Sequence, residues 1–444
     1  MTITGRFTLL VALGVVPVVV LGADAGAAWA AMLGWLALAL GLGAIDLSLA
    51  ASPRRVALER ELPGRLRLGE TATSMLEVRN LGSRRLRAVV RDGWTPSAGV
   101  HGGNRTAVDV PPAESRRISL HVTPTRRGDR RTEAVTVRSF GPLGLWARQA
   151  TLEAPGRLRV LPPFHSRAHL PSRLTRLREL EGRTPLLIRG QGTEFDSLRE
   201  YVRGDDVRSI DWRATARRAD PESRGTTRLM VRTWRPERDR RIVIVADTSR
   251  TAAARVGDEP RLDTAFETAL LLAALASHAG DRVDFLAWDR RLRGRVHGAS
   301  GAELLARMVD VMAGIEAELI EADWAGLPAQ VRGVTSRRAL VVLVTAADSP
   351  GTARGLLSIL PQLAARHRVL VASVADPELA SAVGRRDDLG EVYAAAAAER
   401  SRLNADRVAA AIRHLGASTV SATPQELPPA VADRYLELKA AGQL

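Results

Sequence analysis

At 444 residues the chain is longer than one hydrophobic core usually organises, so two or three domains are expected. It has no cysteine, which excludes disulfides, thiolate metal sites and a cysteine nucleophile, and agrees with a reducing compartment such as the cytoplasm. The formal charge of +15 invites a nucleic-acid reading, but Lys439 is the sole lysine and the arginines are scattered along the chain. Without one basic block no nucleic-acid partner is read, and attraction to anionic lipid headgroups is the simpler account.

Phe7 to Leu21 is almost wholly apolar, a polar break follows at Ala23, Asp24 and Ala25, and Ala27 to Ile45 is apolar again. A spanning helix needs about 20 residues. The second run meets that length and the first reaches it with Ile3 to Arg6, so residues 1–50 predict a transmembrane helical hairpin in contact with lipid, with Trp29 at an interface. A cleaved secretory signal is the rival reading, from Arg6, the apolar run and the small residues Ala23 and Ala25. In either case Arg54, Arg55 and Arg60 follow the second run and hold that end inside, which puts the body in the cytoplasm at the plasma membrane.

Residues 51–165 change to short alternating runs: Ser74 to Arg79, Leu86 to Val90, Arg117 to Val122 and Glu133 to Arg138, with Asn80, Gly82, Gly102, Gly103, Pro111 and Pro112 between them. Period-two alternation between turn residues predicts an antiparallel β-sandwich. Two local patterns, TPTRRG (Thr123 to Gly128) and GPLGLW (Gly141 to Trp146), read as turns, the latter with a packed aromatic at the edge of a core.

Residues 166–238 form a linker region. A helix is expected from Pro171 to Gly182, followed by RGQGTEFDSLREYVRGDDVRSIDW from Arg189 to Trp212. Asp196 is placed to cap a short helix over Ser197 to Tyr201 that ends at Gly204, and Asp205 or Asp206 to cap a second carrying Val207, Ile210, Trp212 and Ala216. The alternation of Glu194, Asp205, Asp206 and Asp211 with Arg199 and Arg208 suits ion pairs that fix one domain against the next. Gly192, Phe195 and Tyr201 complete this interdomain signature. The same carboxylates could instead build the acid and base centre of a metal-dependent hydrolase, although no histidine lies among them.

Residues 239–444 alternate strand and helix. Strands are expected at Arg241 to Ala246, Arg282 to Trp288, Ala339 to Thr345 and Val369 to Val374, with helices at Arg261 to Ala279, Ala302 to Met312 and Ala353 to Arg366. Helix, strand and helix close the chain. This predicts a doubly wound α/β domain whose ligand site lies at the carboxyl ends of the strands. Asp247, Ser249 and Thr251 there can aim a carboxylate and two hydroxyls at a hard cation, Mg2+ in the first place, with Ser300, Thr345 and Asp348 as further oxygens from neighbouring loops.

The order of an apolar hairpin, a strand domain with TPTRRG and GPLGLW, the stretch GQGTEFDSLREYVRGDDVRSIDWRATAR and a last domain opening with DTSRT closely resembles the DUF58 family. The resemblance implies that the last domain is von Willebrand factor A-like, with Asp247, Ser249 and Thr251 on its D-x-S-x-S metal motif. Ser300 is a rough stand-in for the second-loop threonine, and in the third loop Thr345 and Asp348 are separated by Ala346 and Ala347, where the family has a hydroxyl residue directly followed by aspartate. The resemblance further implies an adaptor or assembly factor that binds proteins, in company with a MoxR-type AAA+ ATPase; no Walker A motif or catalytic triad is legible in the sequence, so no enzyme is read.

Overall fold

The computed structural model describes residues 1–183, 194–202, 207–218, 229–235 and 240–444. The chain divides into two compact units, Met1–Pro163 and Phe164–Leu444.

The first unit opens with a short strand β1 (Thr2–Ile3) and three apolar helices, α1 (Gly5–Ala12), α2 (Val15–Leu21) and α3 (Ala25–Leu49). Asp24 caps α3 by accepting from the Ala27 backbone N–H at 2.8 Å. The 25 residues of α3 give a rod of about 37 Å, enough for a hydrocarbon layer of about 30 Å. Among the described residues it is the one helix long and apolar enough to cross a membrane; α1 and α2 are each shorter and pack along it.

The strands that follow are β2 (Val56–Glu61), β3 (Arg65–Arg67), β4 (Ala72–Asn80), β5 (Leu86–Asp92), β6 (Arg105–Val110), β7 (Ser115–Val122), β8 (Gly128–Phe140) and β9 (Trp146–Leu161). They form two sheets, one in the order β1-β9-β8-β5-β6 with β3 beside β9, the other β2-β4-β7. Alternate residues such as Leu76, Val78, Leu86, Ala88, Val90, Val135 and Val137 face inward between the sheets, as period-two patterning requires.

Two features of this unit differ from the expectations. Arg60 is not a headgroup anchor: its side chain is 3% exposed and forks onto Asp92 at 2.7 and 2.8 Å, while Trp94 and Thr132 donate to the same carboxylate. Position 60 falls on an inward face of β2, so the guanidinium needs a buried partner. The GPLGLW loop is more than a turn. Asp46, fully buried near the end of α3, accepts from the backbone N–H groups of Leu143, Leu145 and Trp146 at 2.7, 2.7 and 3.2 Å. A Cβ on Gly43 would stand 2.6 Å from the Trp146 ring, and one on Gly141 would collide with Asp46, so both glycines are needed for this approach. Thr4 donates to the carbonyls of Gly144 and Leu145 from the other side.

The second unit begins with α4 (Leu170–Arg183), where the linker helix was expected. Next come β10 (Glu194–Glu200), α5 (Trp212–Arg218) and β11 (Met230–Arg235), with β10 and β11 paired antiparallel. The stretch expected as a helix over Ser197 to Tyr201 is therefore mostly strand. Its partner Met230–Arg235, rich in strand-forming residues, lies about 30 residues on, and tertiary pairing overrides the local capping signal of Asp196.

The remaining elements are β12 (Arg241–Asp247), the small hairpin β13 (Arg255–Val256) and β14 (Glu259–Pro260), α6 (Arg261–His278), β15 (Arg282–Trp288), β16 (Leu292–Val296), α7 (Gly301–Ala313), α8 (Leu327–Val334), β17 (Leu340–Val344), α9 (Pro350–Ala364), β18 (Arg368–Val374), α10 (Pro377–Val383), α11 (Leu389–His414), β19 (Ser418–Ala422) and α12 (Leu427–Ala440). One sheet runs β16-β15-β12-β17-β18-β19, parallel throughout except for the edge strand β16. Every residue of β12 after Arg241 is buried, as expected of a central strand covered on both faces. All but three of the eighteen residues of α6 are buried, because α12 and α7 pack on it while it covers the sheet. A second apolar layer joins α8, α9 and part of α11 to the sheet through Leu327, Val331, Leu356, Leu360, Val408 and Ile412.

Candidate functional site

A run of β-branched apolar residues carries β12 through the core and delivers Asp247 at its carboxyl end. The register places Ala246 beside Val344 of β17, so Thr345 follows at the side of Asp247. Asp247 is 4% exposed. One of its oxygens accepts from the Ser249 backbone N–H at 2.8 Å; the other accepts from the hydroxyls of Thr251 at 3.0 Å and Thr345 at 2.6 Å. Ser249 Oγ and Thr251 Oγ1 lie 3.2 Å apart. The strand end thus gathers one carboxylate and three hydroxyls.

On the other side Asp247 pairs in register with Trp288, and Asp289 follows, fully buried. It accepts from Thr248 Oγ1 at 3.0 Å, from Arg293 Nε at 2.5 Å and from the N–H groups of Arg290 and Arg291. Burial works against its charge, yet Arg293 and these hydrogen bonds together hold its carboxyl below the usual carboxylate range. Asp289 thereby fixes the loop after β12.

Asp348 and Ser300 do not join Asp247 as expected. Asp348 is paired with Arg261, Nη2 to Oδ2 at 2.7 Å, and is reached by the Thr352 hydroxyl at 3.4 Å. Ser300 lies toward the opposite end of the sheet. The edge strand β16 runs antiparallel, with Val296 beside Phe285, so the chain after it emerges at the amino ends of the parallel strands, where Ser277 accepts from the Gly301 N–H at 3.0 Å. The strand length separates the two places by roughly 15 to 20 Å. The loop that does cover the carboxyl ends is residues 314–326: Glu318 N–H donates to Thr248 O, Arg250 N–H to Ile320 O, and Arg250 Nε to Glu321 at 2.5 Å. Its acidic composition was the signal in the sequence.

Asp247, Thr251, Thr345 and Arg261 line one narrow crevice, floored by apolar residues of the sheet and α6. Arg261 went unremarked in the sequence; it opens α6, and its side chain is 16% exposed. Its pair with the half-exposed Asp348 is worth about 1 kcal/mol at most. An Mg2+ ion finds hard oxygens of the right kind here, but not the right charge. Among the described residues Asp247 is the one carboxylate turned into the hydroxyl cluster, both its oxygens already accept hydrogen bonds, and Asp348 neutralises a guanidinium in the same crevice. Among the described residues no group of three or more carboxylate or imidazole side chains gathers. The residues present do not fit a resident dication while Arg261 lines the crevice.

Of the signature residues, Gly192, Gly204, Asp205 and Asp206 lie outside the described residues. Glu194 and Phe195 are in β10, opposite Arg235 and Trp234. Arg199 also lies in β10, Tyr201 N–H donates to Leu229 O just beyond it, and Arg208 sits exposed in a single turn before Ile210. Asp211 caps α5 by accepting from the N–H groups of Arg213 and Ala214, both at 3.0 Å, and pairs with Arg232 of β11 at 2.7 Å. The Ala214 backbone, then Arg232, lower its pKa. Trp212, expected on an apolar helix face, is 67% exposed, because α5 starts at this residue and turns Ala214 and Thr215 inward instead.

Residues 197–415 match the model of a family described as "Protein of unknown function DUF58". Uncharacterized proteins of Mycobacterium bovis and Mycobacterium tuberculosis are 30% identical to it over 198 residues, 43% of this chain. The match spans 57% of the length of these relatives. Among solved structures, the CARDB domain of a Pyrococcus furiosus protein is 18% identical over 24% of this chain and 91% of its own, at a TM-score of 0.17. Alpha-2-macroglobulin of Escherichia coli is 18% identical over 26% of this chain and 17% of that one, at 0.22. Likenesses of that size carry no weight for fold or function.

Proposed function

We propose that this chain is a DUF58-type adaptor, anchored in the plasma membrane by two helices within residues 1–50, with its body in the cytoplasm. Its last unit is read as von Willebrand factor A-like and binds partner proteins, among them a MoxR-type AAA+ ATPase. The observation that carries the reading is the polar cluster of Asp247, Ser249, Thr251 and Thr345 at the carboxyl ends of a parallel sheet, where open α/β folds place ligands. The anchor is supported by the length of α3 and by Arg54 and Arg55, exposed just beyond it. The ATPase partner rests on the family resemblance.

The test is capture of the full-length chain from its native membrane, with partners identified by mass spectrometry. A MoxR-type ATPase is expected with the wild type and at least tenfold less with Asp247→Asn, which keeps the side-chain volume. Equal recovery from both, or no AAA+ ATPase with the wild type, contradicts the reading.

A further inference from the structure

We infer that a concavity at the amino ends of β18 and β19, the far end of the sheet from Asp247, binds the diphosphate group of a small molecule. Its volume is about 380 Å³, and Arg368, Arg413, Arg434, Ser418 and Thr419 line it. Small-molecule sites usually measure roughly 300 to 1,000 Å³. The three guanidiniums come from three separate elements: Arg368 opens β18, Arg413 sits in the last turn of α11, and Arg434 belongs to α12. Among the described residues that line the concavity there is no carboxylate.

The arginines are not consumed by structural pairing. Arg368 Nη2 donates to the neutral amide oxygen of Gln443 at 2.6 Å, and Arg413 Nη1 to the Thr419 hydroxyl at 3.4 Å; neither meets a carboxylate among the described residues. Arg434 donates to Glu437 at 2.8 Å, an i,i+3 pair whose acid is 52% exposed, and such pairs contribute little. Arg413 also complements the C-terminal dipole of α11, but that accounts for one of the three. Gathered positive charges repel one another until an anion joins them, and a diphosphate offers enough oxygens to engage three forks at once, where a single carboxylate engages one. Thr419 Oγ1, which accepts from Arg413, keeps its own hydrogen to donate to a phosphate oxygen, whereas the Ser418 hydroxyl donates to the Val369 carbonyl at 3.2 Å. Asp247 takes no part, so the inference is independent of the partner-binding reading.

The experiment is isothermal titration of the full-length chain in detergent with inorganic pyrophosphate. EDTA and an ionic strength of about 0.15 M remove the influence of dications and of long-range attraction to scattered arginines. The wild type is expected to bind with a Kd below about 1 mM. Arg368→Gln and Arg413→Gln should each weaken binding about tenfold, as loss of a charged hydrogen-bonding group does. Arg354→Gln, the same charge loss at an exposed position of α9, and Asp247→Asn leave it unchanged. Glu437→Gln, which releases Arg434, should strengthen it about threefold, a gain that a misfolded variant does not produce. ADP and geranyl diphosphate separate the sources of the group: tighter binding of the first identifies a soluble nucleotide, of the second a lipid headgroup, and either upholds the assignment. No binding of pyrophosphate by the wild type, equal binding by wild type and Arg413→Gln, or an equal loss with Arg354→Gln overturns it.

Discussion

Asp46→Ala should destabilise the first unit more than any other truncation to alanine within α3. Asp46 is a fully buried carboxylate whose two oxygens answer three backbone donors of the GPLGLW loop. Truncation leaves the N–H groups of Leu143, Leu145 and Trp146 without an acceptor, at about 1 to 3 kcal/mol for each that stays dry. Partial entry of water lowers the sum, and a net loss of roughly 3 to 5 kcal/mol is expected. For a unit of this size each kcal/mol moves the midpoint by about 2 to 4 °C, so the apparent midpoint should fall by about 10 °C. Thermal unfolding in detergent at a fixed scan rate, followed by tryptophan fluorescence, reads the midpoint, with Trp146 of the loop one of eight tryptophans that contribute. Asp24→Ala, which removes an exposed cap of the same helix, is the control and should cost about 1 kcal/mol. Midpoints of Asp46→Ala and wild type within about 2 °C of each other would refute the reasoning.

Asp92→Ala leaves the Arg60 guanidinium charged and buried in the sandwich, and should cost about 3 to 5 kcal/mol by denaturant unfolding. His367, buried just beyond α9 with Nδ1 unpartnered, has its imidazole pKa lowered by burial first and by Arg366 second. Between that lowered value and about 6.5 the unfolded chain binds the proton and the folded one does not, so its contribution is complete above about pH 6.5 and is lost as the pH falls through that window. A midpoint that declines less with acid in His367→Gln than in the wild type is the expected result; parallel curves contradict it. Ser300→Ala should leave partner capture unchanged, since Ser300 lies toward the far end of the sheet from Asp247.

The strands and helices of the last unit are legible because RIVIVAD, RVDFLAW and RVLVASV are buried on both faces and the helices between them carry their own periodicity. Asp247 could be found for the same reason, as the first polar residue after a buried strand. Ser300 was misplaced because nothing in LRGRV declares that this short strand runs backwards; its direction is fixed by pairing with β15. Arg261 stayed hidden because an arginine at the start of a helix has no local mark of burial, and its importance comes from Asp348, 87 positions away. Arg60 and Asp46 teach the same lesson. Each looks like a membrane-flanking or helix-end charge until a loop or strand distant in sequence supplies the partner that buries it.

Whether partners dock at the carboxyl ends of the sheet is tested most directly by site-specific photo-cross-linking in the native membrane. A photo-reactive residue in place of Asp348 stands at the rim of the crevice, and one in place of His297 stands near the opposite end of the sheet. Adducts with a MoxR-type ATPase from position 348 and none from 297 are the predicted result. Adducts from 297 with none from 348 would contradict the account.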